Sequence, residues 1–391
     1  MTLSGSSLLR ARTEHARVTN VELFFDLVFV FAVTQLSHNL IEHFTALGLV
    51  QTIVLFVAVW WAWIYTAWCT NWLDPERAPV RLMLFALMLL GLVLSTSIPT
   101  AFEAGAPAFA AAYVAMQLGR TVFTLRVLKG HSPANYRNFQ RIAFWFVLSA
   151  VFWIAGALLP GEWRLTSWIA ALAIECVAPW VYFWTPALGR SATGDWDVEG
   201  GHMAERCALF IIIALGESIL VTGTTFGRLP WTPATVAAFL AAFIGSVAMW
   251  WIYFNVGAER ASRHIAGSTD PGRVARHAYT YLHLPLVAGI IAAAVGDDLV
   301  LAHPAASTDA RTAAVLIGAP ALYLGGNLLF KRATGASPAF SHMIGLGLLA
   351  ALVPASTVLG PLALSLATTA VLVLVAAWET VSLRPREGDP S

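Results

Sequence analysis

The chain has 391 residues, 58% of them hydrophobic and only 12% charged. A soluble globular chain carries about 25% charged residues, so the polar surface that a soluble fold of this size requires is missing, and the same hydrophobicity excludes an intrinsically disordered chain. The formal net charge of +1 removes any bulk electrostatic case for nucleic acid or for acidic substrates.

These features predict an all-α polytopic integral membrane protein. A bilayer core about 30 Å thick takes about 20 apolar residues at about 1.5 Å each. Twelve stretches meet that need, at 21–41, 48–69, 80–99, 107–128, 139–159, 168–186, 208–226, 234–256, 279–300, 314–330, 340–354 and 359–381. The eleventh is short and glycine-rich, so the expected count is about twelve. Residues 1–17, with Arg10, Arg12 and Arg17, form a lead-in rather than a cleavable signal peptide, because the first apolar stretch runs directly into a second. Two six-helix halves follow, 18–186 and 206–381, joined by a connection at 187–205 and closed by a tail at 382–391.

Basic residues test this layout. Counted on alternate sides, 19 fall on the segments assigned inside and only Arg164, Arg228 and Arg311 on those assigned outside, with Arg120 inside a helix. That bias follows the positive-inside rule and predicts an inner-membrane protein with both termini cytoplasmic. No connection is long enough for a catalytic module, so the chemistry belongs in or beside the bilayer.

The first helix, "VTNVELFFDLVFVFAVTQLSHNL", carries the densest polar pattern. At about 100° per residue, Glu22, Asp26, Thr34, Ser37 and His38 occupy less than half of its circumference, with Gln35 outside the stripe. A carboxylate facing lipid costs several kcal/mol, about 2.5 even on the mildest scale, so the stripe faces protein or a wet cavity. Thr19 or Asn20 suits the N-cap, with Glu22 in the first turn. Asp26, a turn deeper, needs a partner. Arg120 in the fourth helix lies near the same depth, and an Asp26–Arg120 pair is expected.

Glu175 is an intramembrane acid midway along the sixth helix. In the seventh, "ERCALFIIIALGESILVTGTTF", Glu205 and Arg206 stand at the cytoplasmic mouth, and Glu217 is about 18 Å further along. Glu217, Ser218, Thr222 and Thr225 form a polar run suited to lining a cavity. His38 and His283 read as hydrogen-bonded packing residues. Asp297 and Asp298 read as solvated carboxylates terminating the ninth helix, and Asn327 and His342 are isolated. Of the sixteen tryptophans, among them Trp60, Trp61, Trp63 and Trp68 in the second helix, Trp72 just past its end and Trp250 and Trp251 in the eighth, some are read as interface anchors. Cys69, Cys176 and Cys207 lack metal-ligand spacing and read as small apolar residues; no metal and no cofactor is expected.

The halves correspond faintly. "VELFFDLVFVFA" and "AERCALFIIIAL" each open a helix with an acid near its start, and each is followed by a helix holding a Trp–Trp pair, "VWWAWIY" and "MWWIYFN". Six helices plus six of the same sense would make a parallel repeat.

The runs "VELFFDLVFVFAVTQLSHNL", "NWLDP" and "ERCALFIIIALGESIL" resemble the bacterial low-temperature requirement protein A family, from about residue 18 to the last helix. The resemblance implies an integral membrane protein associated with growth in the cold, with no established biochemical activity. It draws attention to Glu22, Asp26, Gln35, His38, Asn71, Asp74, Pro75, Glu205, Arg206, Gly216 and Glu217.

Three functions remain open. The first is ion- or proton-coupled transport of a small solute, with Asp26 and Glu217 as ion-sensitive groups and Glu22, His38, Arg120, Glu175 and Glu205 as further contact candidates. No G-x-x-x-x-G-K-[ST] loop is present for ATP coupling. The second is an intramembrane enzyme acting on lipid, with Glu217, Glu205 and a histidine as acid and base. The third is a scaffold or sensor whose charged pairs only fix helix packing. The expected partners are membrane lipid and an ion or small solute, not nucleic acid.

Overall fold

The computed structural model describes residues 8–10, 17–192, 198–255, 271–335 and 340–382. Most of the lead-in, nearly all of the tail, residues 193–197 of the 187–205 connection and most of the 257–278 connection lie outside the described residues.

Each apolar stretch coincides with a helix. These are α1 (Asn20–Glu42), α2 (Ala46–Trp72), α3 (Ala78–Ser97), α4 (Ala106–Leu128), α5 (Pro133–Leu158), α6 (Gly161–Trp180), α7 (Gly200–Phe226), α8 (Pro233–Phe254), α9 (Gly272–Ala302), α10 (Ala310–Ala333), α11 (Phe340–Ala355) and α12 (Pro361–Ser382). Among the described residues, nine of these are long and apolar enough to cross a membrane, and α11 is a shorter apolar helix. The remaining two, α4 and α6, carry internal charges: Arg120 and Arg126 in one, Glu162, Arg164 and Glu175 in the other. The protein is a multi-pass membrane protein, and every regular element among the described residues is helical.

Local chemistry sets the helix starts. Thr19 and Glu22 form a capping box on α1, Thr45 caps α2, Thr232 caps α8 with Pro233 behind it, and Asp309 caps α10. The sixth helix departs from the hydropathy reading. It starts seven residues earlier, at Gly161, and stops at Trp180, because Tyr182 and Phe183 take left-handed φ values of 55° and 49°. The run Val181–Trp184 is apolar, but it is not helical. In α9, residues Arg276–Tyr281 form a π-helical turn ahead of Pro285, which has no N–H to give Tyr281, and His283 Nδ1 lies 2.9 Å from the Ala278 carbonyl.

The chain divides into two compact units, Met1–Arg206 with Thr269–Arg273, and Cys207–Ser268 with Val274–Ser391. The first contains α1–α6 and the first two turns of α7. Within it α1 packs on α2 and α3, α4 on α2, α3 and α5, and α6 on α2 and α5. In the second, α9 packs on α8 and α10, and α12 packs on α8, α10 and α11. The α9–α10 approach depends on Gly289: a Cβ there would sit 2.8 Å from the Tyr323 nitrogen and 3.0 Å from the Ala319 oxygen.

The tryptophans divide between buried and exposed sets. Trp60, Trp61 and Trp63 are completely buried rather than interfacial, and Trp63 serves the charged cluster below. Trp163, Trp180, Trp184 and Trp231 are exposed at or just beyond helix ends, where an amphipathic ring suits the headgroup level. The corresponding pair in the second unit, Trp250 and Trp251, is exposed, so the two Trp–Trp pairs do not do the same work.

Candidate functional site

Two carboxylates on α1 face two basic side chains on α7. Glu22 and Asp26 lie four residues apart, as do His202 and Arg206, so each pair shares one helix face. His202 Nε2 is 2.8 Å from Glu22 Oε1. One turn on, Arg206 grips Asp26 with two hydrogen bonds, NH1 to Oδ2 at 2.8 Å and NH2 to Oδ1 at 2.9 Å. The lower-numbered residue of each helix meets the lower-numbered residue of the other. The start of α1 and the start of α7 therefore run in the same direction, in register. All four side chains are completely buried.

The upper rung is closed. Asp26 Oδ1 also accepts from Trp63 Nε1 at 2.7 Å, and the Arg206 guanidinium lies 5.5 Å from the Trp63 ring centroid. Three charge-assisted donors satisfy the Asp26 carboxylate and a cation–π contact flanks the guanidinium, whose Nε has no partner among the described residues. Desolvation opposes the attraction, so such a pair adds little net stability, yet removing one partner alone is costly.

The lower rung is a network. Glu22 Oε2 accepts from the Thr19 backbone N–H at 2.9 Å, the Thr19 hydroxyl at 3.0 Å and Arg10 at 3.2 Å. Arg10 is held there because residues 8–10 run antiparallel to the segment after α2: Arg10 N donates to Trp72 O and Asp74 N to Leu8 O. On the far side of the ring, Asn71 Nδ2 lies 3.3 Å from His202 Nδ1 and donates to Glu199 O at 2.8 Å, while Glu199 N donates to Asn71 Oδ1 at 2.9 Å. The two backbone bonds fix the amide orientation. Asn71 therefore presents an N–H to Nδ1, and the ring must accept there and donate from Nε2 to Glu22. His202 is held as one neutral tautomer, strapped between the end of α2 and the start of α1.

The run Asn71–Pro75 thus has a structural meaning. Asn71 ties down the start of α7, Trp72–Asp74 pair with residues 8–10, and Asp74 accepts from Glu76 N at 3.0 Å and from Arg77 Nε at 3.1 Å to turn the chain into α3.

Several expected contacts fall elsewhere. Arg120 does not pair with Asp26. It donates to Ala62 O at 3.1 Å, to Thr66 Oγ1 at 2.9 Å and to Gln117 Oε1, with its guanidinium 5.6 Å from the Tyr65 ring. Depth matched the two residues, but depth does not set which way a helix face points. Glu205 is exposed, and its Oε2 accepts from the Val18 N–H at 3.0 Å. His38 is exposed on α1, apart from the cluster. Cys69 and Cys207 are buried, and Cys176 is half-buried.

Glu175 sits in a second buried network of the first unit. Its Oε1 accepts from Ser149 at 2.7 Å and Trp153 Nε1 at 3.0 Å, and its Oε2 accepts from the Tyr113 hydroxyl. Gln117 Nε2 donates to Tyr113 Oη at 2.9 Å, and Arg120 donates to Gln117 Oε1. Every donor in the line Arg120–Gln117–Tyr113–Glu175 points toward the acid. The line lets the two buried charges polarise each other, but the amide of Gln117 interrupts it as a proton path.

In the second unit Glu217 is buried on α7. Asp297 and Asp298 do not terminate α9, which continues to Ala302. Each instead takes a hydroxyl from α7: Ser218 to Asp297 at 3.3 Å and Thr225 to Asp298 at 2.5 Å. His283 is a buried packing residue bonded to Tyr253 at 2.8 Å. Asn327 and His342 are not isolated. His342 Nε2 is 3.2 Å from Asn327, and its Nδ1 is 3.3 Å from Glu379, which also holds Lys331 at 2.7 Å.

Hydropathy reasoning missed His202, which lies ahead of the apolar window that defined the seventh helix. A signal was present: the His-x-x-x-Arg spacing mirrors Glu-x-x-x-Asp on α1 with opposite charge. Trp63 carried no such signal.

The fold and this cluster define a class: a multi-pass helical membrane protein with a buried clasp of paired acids and bases in its first unit. The chain belongs to the bacterial low temperature requirement A protein (LtrA) family, whose model matches residues 17–377. It is also similar to an uncharacterized protein of Rhizobium meliloti (strain 1021), 41% identical over 379 residues that cover 96% of this chain and 92% of that protein. No solved structure matches it.

Proposed function

We propose that this protein is a secondary transporter of the bacterial inner membrane that couples movement of a small solute to ions or protons, with the Glu22–His202–Asn71 clasp as its proton-responsive element. The observation that carries this reading is the His202 tautomer. A proton added at Nδ1 turns an acceptor into a donor facing the Asn71 N–H, so the Asn71–His202 contact is lost while the two Asn71–Glu199 bonds remain and the Glu22–His202 attraction grows. The clasp thus has two arrangements that differ by one proton, which is what a coupled conformational change requires. Glu217 is a second buried acid that serves coupling. Buried charge pairs are a poor investment for stability alone, which favours a working role.

The proposed topology places both termini in the cytoplasm, following the basic-residue bias. The parallel sense of α1 and α7 requires an odd number of crossings between them, a condition met by five or by three. Trp163→Cys is expected to react with an impermeant maleimide in intact cells, and Arg81→Cys only after permeabilisation. The reverse pattern would invert the topology.

A specific observation favours a second reading. In the Asp26–Arg206–Trp63 rung both carboxylate oxygens are hydrogen-bonded, as a scaffold or sensor would have it. The enzyme reading gains little from the Ser341–His342–Glu379 grouping, because both neighbours approach the same Nδ1, whereas an acid–base relay uses the two ring nitrogens separately.

The transport reading is tested in proteoliposomes holding a trapped pH dye, challenged with anionic, cationic and zwitterionic solutes. Solute-dependent proton movement is expected, lost in Glu22→Gln and in Glu217→Gln while both variants keep the parent's elution profile. Glu22→Gln retains the capping box, which accepts either residue. Undiminished movement in these variants would remove their assigned roles.

A further inference from the structure

The second unit holds a partly enclosed pocket of about 40 Å³ between α8, α9, α10 and α12. One water-sized ligand needs about 10–15 Å³, so there is room for about three. We infer that this pocket binds one small monovalent cation of about sodium's size.

The donors are hard oxygens. Asp297 lines the pocket; Ser218 bonds its Oδ2, and its Oδ1 takes no hydrogen bond among the described residues. On α12, Ser365, Thr368 and Thr369 stand on one face at the pocket wall. Thr368 and Thr369 direct their hydroxyl hydrogens to the Ser365 and Ala241 carbonyls, which leaves oxygen lone pairs as ligands. Ser365 is only 4% exposed, and its hydroxyl has no hydrogen-bond partner among the described residues. The oxygen is open to the pocket, where a bound ion or its water supplies a partner. From α10 comes a main-chain donor: Pro320 has no N–H to give the Leu316 carbonyl, and both residues line the pocket.

Charge selects the ion. No basic side chain is among the lining residues, so Asp297 brings one uncompensated negative charge. Asp298 is turned to Thr225 and does not line the pocket. Calcium takes six to eight oxygens, commonly with several carboxylates, and magnesium needs near-ideal octahedral geometry. One carboxylate with hydroxyls and a freed carbonyl matches a single positive charge. This site goes beyond the proton-responsive clasp of the first unit and does not depend on it.

The test is equilibrium binding of ²²Na⁺ to the purified full chain in detergent, with choline holding ionic strength constant. Saturable binding at one site per chain is expected. Asp297→Asn should abolish it, and Ser365→Ala, a small change compatible with the helix, should weaken it several-fold while melting temperature is kept. No saturable binding to the parent protein, or binding unchanged in Ser365→Ala and Asp297→Asn, would overturn the assignment; water or a proton would then be the occupant. A negative result here leaves the acid response of the clasp intact, and loss of that response leaves sodium binding intact.

Discussion

Arg206→Ala is expected to destabilise the protein by about 3–5 kcal/mol, because it leaves Asp26 as an unpaired charge in a dry interior. The purified variant should show a lowered melting temperature in detergent and a sharply reduced yield. The cause is separable from lost packing. In Asp26→Asn/Arg206→Met the charge is gone, an acceptor remains for Trp63 Nε1, and the aliphatic volume of the arginine stem is kept. The double variant should recover most of the loss. If it melts no higher than Arg206→Ala, the deficit comes from packing, and the buried charge is not what the rung neutralises.

Glu175→Leu is expected to be as damaging for a different reason. It strands two buried donors at once, the Tyr113 hydroxyl and Trp153 Nε1, and leaves the Ser149 hydroxyl only the Phe146 carbonyl at 3.2 Å. An unsatisfied buried donor costs about 1–3 kcal/mol, so the combined effect threatens folding outright. Glu175→Gln keeps an acceptor for Ser149 and Trp153 and should lose only part of that. Tyr113→Phe removes the bond to Glu175 and the acceptor of Gln117 Nε2 but leaves Ser149 and Trp153 on the acid, and should be milder still. A ranking of melting temperatures with Leu lowest, Gln intermediate and Phe highest is the expected result. Equal values for Leu and Gln would mean that the carboxylate is not the hub of that network.

Much of the fold was legible because the bilayer imposes it. Twenty-residue apolar runs have no other soluble explanation, and each of the twelve coincides with a helix. The ends were less legible. At the sixth helix, Val181–Trp184 looks like helix by hydropathy, but left-handed backbone at Tyr182 and Phe183 stops it, and no periodicity signals that. At α7 the helix begins eight residues ahead of the apolar window, among the polar residues that carry the site.

The site itself was half legible. Composition flags a buried acid such as Asp26 or Glu175 reliably, since so few charges are tolerated in apolar segments. Partners are another matter. Arg120 and Arg206 were both available to Asp26, and a choice between them needs the azimuth of each helix, which depends on packing. The matched four-residue spacing of Glu22/Asp26 and His202/Arg206 was the one sequence clue to that choice. The roles of Asn71 and Trp63 come from long-range hydrogen bonds, Asn71 reaching Glu199 and Trp63 reaching Asp26, and neither bond leaves a local pattern.

The most direct test of the clasp as a proton-responsive element needs no knowledge of the solute. Proteoliposomes adsorbed on a solid-supported membrane are given a rapid acid jump, and the transient charge displacement is recorded. The parent protein is expected to give a saturable displacement that Glu22→Gln and His202→Ala both reduce to the level of protein-free liposomes. A displacement of undiminished size in both variants would contradict the account and leave the clasp as a packing device.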